Sequence, residues 1–357
     1  MSGRIEALQK KMHSENVDAF FITSEVNREY LTGFRATDGW MLITREEAYL
    51  LMDSRYIEAA QEQAKGCKVV LFSQMLETLR ELLTRHKVKT LVAEQSRITV
   101  AEWDSLKKAL PHVELIDSPI LDTAIDGLRA VKSEKEFADL REAQRLTEEA
   151  FERMLTFLRP GVTEREAALE IEFYMRRHGA EGVAFDLIVI TGAKTSMPHG
   201  VPGEEKIQPG DFVTMDTGAV VNGMHSDMTR TVAIGHADDE MRQVYHTVLK
   251  AQQNAIAAVH AGVACKAVDF AARSVIEQAG YGEYFGHSTG HSVGLEIHES
   301  PAFSPRSEAI AQENMVITVE PGIYLPGKFG VRIEDMVRVT QNGCEDLTNA
   351  KKELIVL

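Results

Sequence analysis

The chain has 357 residues, 44% of them hydrophobic, and 54 acidic against 39 basic side chains leave a net charge of −15. That length allows two domains with real cores, and the charge excludes a nucleic-acid binder, because phosphate backbones would be repelled. Cys67, Cys265 and Cys344 are too scattered for a disulfide framework or a zinc ribbon, no apolar run approaches the ~20 residues of a membrane span, and residues 1–11 are charged rather than signal-like. A cytoplasmic protein is expected.

Up to about Asp122 short strands alternate with helices. The pattern predicts strands at Val17–Thr23, Trp40–Thr44, Ala48–Asp53, Lys68–Phe72 and Thr90–Ala93, and helices at Arg4–Ser14, Arg55–Ala64, Met75–Arg85 and Val100–Leu110. This is a small α/β domain, residues 1–122, with no phosphate loop or metal cluster in it. Pro119, Asp122, Asp126 and Gly127 then interrupt the periodicity, and residues 123–132 read as a linker to a second domain, 133–357. A long amphipathic helix opens near Ser133 and ends at Pro160-Gly161. Thr163 and Glu166 form a capping-box pattern for the next helix, which stops at Gly179.

The same plan then recurs. A helix at Glu240–His260 ends at Ala261-Gly262-Val263, and another runs to Gly280. Gly161 and Gly262, like Gly179 and Gly280, stand 101 positions apart (262−161, 280−179). Downstream, residues 212–218, ending Asp216-Thr217-Gly218, parallel residues 316–322, ending Glu320-Pro321-Gly322. The second domain is an internal duplication of a helix–helix–strands unit, and the fold class is α+β.

Each half carries acids. Asp216 and Asp227 lie in two strand-like runs joined by Asn222-Gly223, a strong hairpin signal. With that turn Val221 pairs with Met224 and Gly218 with Asp227, so Asp216 and Asp227 become diagonal neighbours on one face of the ribbon. The second half supplies Glu320, and Glu334 within an expected strand Val331–Val339, where Arg332 and Glu334 point to one face. His291 joins them from the Gly-rich segment Gly286–His291. Four buried carboxylates without cations would repel strongly. Two divalent cations neutralise them, and oxygen ligands with one imidazole suit manganese, iron, cobalt or zinc.

These motifs are recognisable. Asp216-Thr217-Gly218-Ala219, Ser226-Asp227-Met228-Thr229-Arg230-Thr231, Gly286-His287-Ser288-Thr289-Gly290-His291, His298-Glu299, Glu320-Pro321-Gly322-Ile323-Tyr324, Arg332-Ile333-Glu334-Asp335 and Pro198-His199-Gly200-Val201-Pro202 resemble the prolidase and aminopeptidase P branch of the pita-bread metallopeptidases. The resemblance extends to the first domain through Tyr30-Leu31-Thr32-Gly33-Phe34. It implies a creatinase-like N-terminal domain before a pita-bread catalytic domain with a pseudo-two-fold duplication. It implies an Xaa-Pro dipeptidase or aminopeptidase with two metal ions per subunit, manganese first among the candidates. By resemblance Asp216 and Asp227 hold one ion, Asp227 and Glu334 bridge, and His291 and Glu320 complete the second site. His199, His287, His298, Tyr324 and Arg332 match the substrate-side positions.

The implied mechanism is hydrolysis by a metal-bridging hydroxide, with Glu320 carrying a proton to the leaving nitrogen and His199 and His298 holding the substrate carbonyl. The expected substrate is a small peptide with proline second. A homodimer is expected, with residues 34–40 reaching towards a neighbouring subunit. His225 and Ser292 depart from the family pattern and bear on fine specificity. Three rivals stand beside this reading: a metal-free hydrolase resembling creatinase, a methionine aminopeptidase-like exopeptidase, and a non-catalytic binding member of the same fold. The retained ligands weigh against the first and last, and the first domain with Pro198–Pro202 weighs against the second.

Overall fold

A computed structural model describes residues 2–357 and divides the chain into two compact units, residues 1–129 and 130–357. The first unit is built from α1 (Ser2–Glu15), β1 (Ala19–Ile22), α2 (Glu25–Thr32), β2 (Trp40–Thr44), β3 (Ala48–Met52), α3 (Ile57–Gln63), β4 (Lys68–Leu71), α4 (Met75–Arg85), β5 (Thr90–Ala93), α5 (Val100–Ala109), β6 (Glu114–Ile116) and α6 (Ile120–Ala130). Its six strands form one mixed sheet in the order β4-β3-β2-β1-β5-β6. Strands β1 to β3 are buried at nearly every position, as the apolar run Ala19-Phe20-Phe21-Ile22 requires of a sheet covered on both faces.

Two features of this unit differ from expectation. Helix α2 was not legible as a helix. It has only eight residues and closes on Gly33, whose left-handed backbone (φ 69°) lets its N–H donate to the Glu29 carbonyl. The residues expected as a linker are largely the helix α6. Fully buried Leu121 and Ile125 give it an i, i+4 apolar contact, and Asp122, read as a breaker, instead accepts the backbone N–H groups of Gln95 and Ser96. Tertiary packing overrides the local signal at Gly127.

The second unit contains α7 (Glu134–Phe157), α8 (Glu164–Arg177), β7 (Gly182–Val183), β8 (Ile188–Thr191), β9 (Phe212–Thr217), β10 (Ala219–Val221), β11 (Met224–His225), β12 (Met228–Ala233), α9 (Asp239–Ala258), α10 (Cys265–Gln278), β13 (Gly290–Ser292), β14 (Glu299–Phe303), β15 (Val316–Val319), β16 (Gly322–Leu325), β17 (Phe329–Arg332), β18 (Asp335–Thr340) and β19 (Gly343–Asp346). Ser133 and Thr163 each cap a helix reciprocally with a glutamate three residues on, as the sequence pattern requires.

The duplication is visible in the hydrogen bonds. Gly161 and Gly262 both have positive φ, 95° and 90°, and their N–H groups donate to the carbonyls of Ile207 and Ala311. Thr163 bridges Lys206 and Ala264 bridges Ile310, both antiparallel. In the first half β9 is flanked by β8 and β12; in the second, β15 is flanked by β13 and β18. Each half keeps its own apolar core: Leu146, Phe151, Ile171 and Met215 belong to one, Val248, Val268, Ile317 and Val337 to the other.

Candidate metal centre

The hairpin register follows the Asn-Gly turn. Asn222 and Gly223 both have positive φ, 48° and 78°, as a type I′ turn demands. Val221 pairs with Met224, and the same register continues to Thr217 with Met228 and Asp216 with Thr229. Alternation places Asp216, Asp227 and Thr229 on one face. Between the two ladders Gly218 passes so close to the Ser226 carbonyl that a Cβ would lie 2.0 Å from its oxygen.

Glu334 is not inside a strand. Strand β17 ends at Arg332 and pairs with β16, β18 begins at Asp335 and pairs with β15, and Ile333-Glu334 is the crossing between them. The reason lies in the first half. The Glu334 N–H donates to the Thr229 carbonyl (3.1 Å), and the Arg332 carbonyl accepts the Thr231 hydroxyl (3.1 Å), so the backbone here bonds to β12 instead of continuing one ladder. Arg332 and Glu334 nevertheless meet a common partner: Thr229 Oγ1 accepts from Arg332 Nε at 2.9 Å and donates to Glu334 Oε2 at 2.7 Å.

Asp216, Asp227, His291, Glu320 and Glu334 all line one cavity of about 810 Å³. Asp227, His291 and Glu334 present ligand atoms within 4.8 Å of one another, and His291 Nε2 lies 3.6 Å from Asp227 Oδ2 and 3.5 Å from Glu320 Oε1. Asp216 stands slightly apart from the tight trio, with its Oδ2 paired to Arg332 at 2.6 Å. Asp216 Oδ1 and Glu334 Oε1 are buried and have no hydrogen-bond partner. Two orphaned carboxylate oxygens beside an imidazole fit a divalent cation, since each would otherwise be desolvated without compensation.

Imidazole chemistry agrees. His291 Nδ1 lies 3.1 Å from the Ser292 carbonyl, which can only accept, so Nδ1 carries the proton and Nε2 offers its lone pair to the acidic cluster. Burial, then the neighbouring His298, pushes the His291 pKa down to about 4, keeping the ring neutral. Burial, reinforced by like-charged neighbours, raises Asp227 and Glu334 well above the carboxylate range. Glu320 is pushed up to about 8, again chiefly by burial. Without cations this cluster binds protons, and cations would take their place.

The substrate-side positions surround the acids. His199, His287, His298 and Arg332 line the cavity, and the His298 ring meets the His291 ring edge to face at 4.4 Å between centroids. His287 donates from Nδ1 to the Ser288 carbonyl (2.8 Å) and accepts the Tyr324 hydroxyl at Nε2 (2.9 Å). Tyr324, buried and pushed up to about 12 by that burial, also accepts from Arg332 Nη1 at 3.0 Å. Arg332 Nη1 reaches the Pro198 carbonyl as well (3.3 Å), tying the His199 turn to the centre. Phe185, Leu187, Ile188 and Ile297 supply an apolar wall that the sequence reading did not single out.

The two departures from the family pattern have structural explanations. His225 is not a cavity-lining residue: its backbone N–H donates to the Gly294 carbonyl, and its Nδ1 lies 3.1 Å from the same oxygen. Ser292, fully buried at the β13 bulge, donates its hydroxyl to the Pro301 carbonyl at 2.8 Å. Helix α10 steadies the Gly-rich segment: Asp269 accepts the N–H and hydroxyl of Thr289, and Arg273 donates to the carbonyls of Phe285 and His287. Those supports lie in helical positions that local periodicity marks only as half-buried.

Comparison with known proteins agrees with this geometry. Residues 138–341 match the metallopeptidase family M24, and residues 4–131 match the creatinase/prolidase N-terminal domain. The chain is 37% identical to an Xaa-Pro dipeptidase of Pyrococcus furiosus over 99% of this chain and 100% of that one. Among solved structures it is similar to an Xaa-Pro dipeptidase from Bacillus anthracis (TM-score 0.96, 40% identity, 99% of both chains). It is also similar to an X-Pro aminopeptidase from Thermotoga maritima (TM-score 0.91, 36% identity, 100% of this chain and 99% of that one). With its creatinase-type first domain, its duplicated pita-bread second domain and an acid–imidazole cluster between the two repeats, the chain belongs to metallopeptidase family M24.

Proposed function

We propose that this metallopeptidase hydrolyses the bond between an N-terminal residue and a proline in the second position of a small peptide. Asp216, Asp227, His291, Glu320 and Glu334 hold two divalent ions, manganese first among the candidates. The observation that carries this reading is the pair of buried, unpartnered oxygens, Asp216 Oδ1 and Glu334 Oε1, contributed by opposite repeats on residues that line one cavity. The names of the relatives point to the proline substrate.

When bound, such ions acidify water and polarise a carbonyl. The chain's own residues do the rest. Glu320 takes the proton released as water attacks and delivers it to the proline nitrogen, which leaves as a secondary amine. His199 and His298 donate hydrogen bonds to the carbonyl oxygen as negative charge develops there. Arg332 pairs with Asp216 and, through Tyr324, holds His287 in one tautomer. The apolar wall of Phe185, Leu187 and Ile297 suits a pyrrolidine ring, which presents no N–H to satisfy.

The test is hydrolysis of an Xaa-Pro dipeptide, an Xaa-Pro-Pro tripeptide and a Met-Ala peptide, each with manganese and with EDTA. Manganese-dependent cleavage of the proline substrates, abolished by the chelator, is expected. Cleavage of Met-Ala alone overturns the substrate assignment. The working form is a cytoplasmic homodimer in which residues 34–40 of one subunit reach towards the other. An active monomer in light scattering at nanomolar concentration removes that element. Among the described residues no helix is long and apolar enough to cross a membrane.

A further inference from the structure

Arg230 follows Thr229 on β12, so its side chain leaves the opposite face of the ribbon from Asp227 and Thr229, away from the cavity. It is 1% exposed, among the most deeply buried large side chains of the described residues. All five of its N–H donors are used. Nε donates to the Lys351 carbonyl (2.9 Å). Nη1 donates to the carbonyls of Thr229 (2.9 Å) and Glu334 (2.6 Å), and Nη2 donates to Asp335 Oδ1 (2.7 Å) and the Ala350 carbonyl (2.8 Å). Asp335, itself fully buried, is held in turn by Gln252 and Lys352.

We infer that Arg230 is a positioning residue that fixes the spacing between the acidic side chains of the two repeats, acting from behind the sheet. The inference rests on the reading that those acids hold metal. A guanidinium needed only to anchor residues 350 and 351 would have no reason to bind Glu334. Here Nη1 spans Thr229 O and Glu334 O, and Thr229 O also accepts the Glu334 N–H. That closes a clamp around the backbone bond that joins the two repeats at Thr229 and Glu334, beside the cluster. On the front, Thr229 Oγ1 holds the Glu334 carboxylate (2.7 Å); behind, Arg230 holds its backbone. The position of Glu334 relative to Asp227, two residues before Thr229, is therefore set from both sides. A lysine could keep the charge opposite Asp335 but has a single nitrogen, with no planar fork to span two carbonyls.

The test uses the full chain stripped of metal, comparing parent and Arg230→Lys by thermal unfolding, calorimetric titration with manganese, and Xaa-Pro kinetics. The metal-free variant should unfold cooperatively within a few degrees of the parent. Its manganese affinity should fall by about tenfold or more, as for other supports of metal ligands. At limiting manganese kcat should drop and recover at saturating manganese, while KM holds. If Arg230→Lys is obtained only unfolded, the double variant Arg230→Met/Asp335→Leu replaces it. This removes the buried charge pair together, which folds tolerate better than a lone charge, and the same affinity loss is expected. Parent-like manganese affinity in a folded variant, or a raised KM at unchanged affinity, overturns the positioning role. A parent that binds none of manganese, cobalt and zinc instead sinks the metal-centre reading itself.

Discussion

Thr229 Oγ1 donates to Glu334 Oε2 at 2.7 Å while accepting from Arg332 Nε at 2.9 Å, so one hydroxyl of the first repeat orders two side chains of the second. Thr229 is fully buried. Replacing it with valine keeps the shape and removes both bonds. Thr229→Val should lose about 1–3 kcal/mol of stability, from leaving charged partners unsatisfied, and about 10–100-fold in metal affinity. Chemical denaturation and metal titration measure the two separately. Unchanged affinity would mean that Glu334 is held without this hydroxyl.

Asp227 is buried beside Glu334, Asp216 and Glu320, and those like charges reinforce the effect of its burial. Asp227→Asn keeps its size and removes its charge. At about pH 8 the metal-free variant should therefore melt higher than the metal-free parent. Its stabilisation by manganese should vanish, and turnover should fall by more than about a hundredfold, beyond the effect of an outer support. Differential scanning calorimetry with and without manganese reads the first two outcomes. A variant that still cleaves at the parent rate would leave the acidic cluster without a catalytic role.

The metal-free protein should respond to pH in a defined window. Asp227, Glu334 and Glu320 have raised pKa values in the folded state, so there the folded chain binds more protons than the unfolded one. Their stabilisation is complete below the ordinary carboxylate range and is lost as pH rises, for Glu320 towards about 8. His287 and His291, pushed down to about 4 from 6.5, act in the opposite sense: their contribution is present above 6.5 and lost as pH falls. The two effects oppose each other at acid pH, and only the carboxyls remain above 6.5. In EDTA the Tm should fall between pH 6.5 and about 8. With manganese it should hold, so the gap between the two curves should widen. A constant gap would contradict the proton-for-metal exchange.

Gly290 precedes His291, and a Cβ there would lie 1.8 Å from the Thr318 carbonyl oxygen. The obstacle is backbone and cannot swing aside. Gly290→Ala should cost at least about 1–3 kcal/mol, the range for overpacking a tight site. It should also weaken metal binding, because β13 must move and the His291 N–H loses its bond to Thr318 Oγ1. Urea unfolding and metal titration would show it. Parent-like stability would indicate that β13 and β15 can separate freely.

How much of this was legible in the sequence depends on the range of the interaction. The Asn222-Gly223 turn alone set a register that runs through to Asp216 and Thr229, because a two-residue loop with two positive φ values admits few alternatives. The matched glycines at 161 and 262 announce the duplication, since each takes a positive φ, a conformation that disfavours side chains, in the turn between two helices. Glu334 was placed in a continuous strand because residues 331–339 alternate well. Its actual backbone partner, Thr229, lies 105 positions away, and nothing local encodes that choice. Arg332 was recognised, yet its ion pair with Asp216 spans 116 positions. Arg230 lies within residues 226–231, and its role is invisible there for the same reason. In the first unit, α2 and α6 escaped because short helices owe more to the contacts they make than to the residues they contain.

The crossing at Thr229 and Glu334 also fixes when the protein can first become an enzyme. During synthesis, Asp216 and Asp227 emerge from the ribosome more than a hundred residues ahead of Glu334, and the nascent first repeat can fold its hairpin without a complete set of ligands. With the ligand set proposed above, loading with metal must await the second repeat, so ion capture would fall at the end of folding. A chain cut short before the second repeat would keep only Asp216 and Asp227 of the proposed ligands, and with them little hold on a cation.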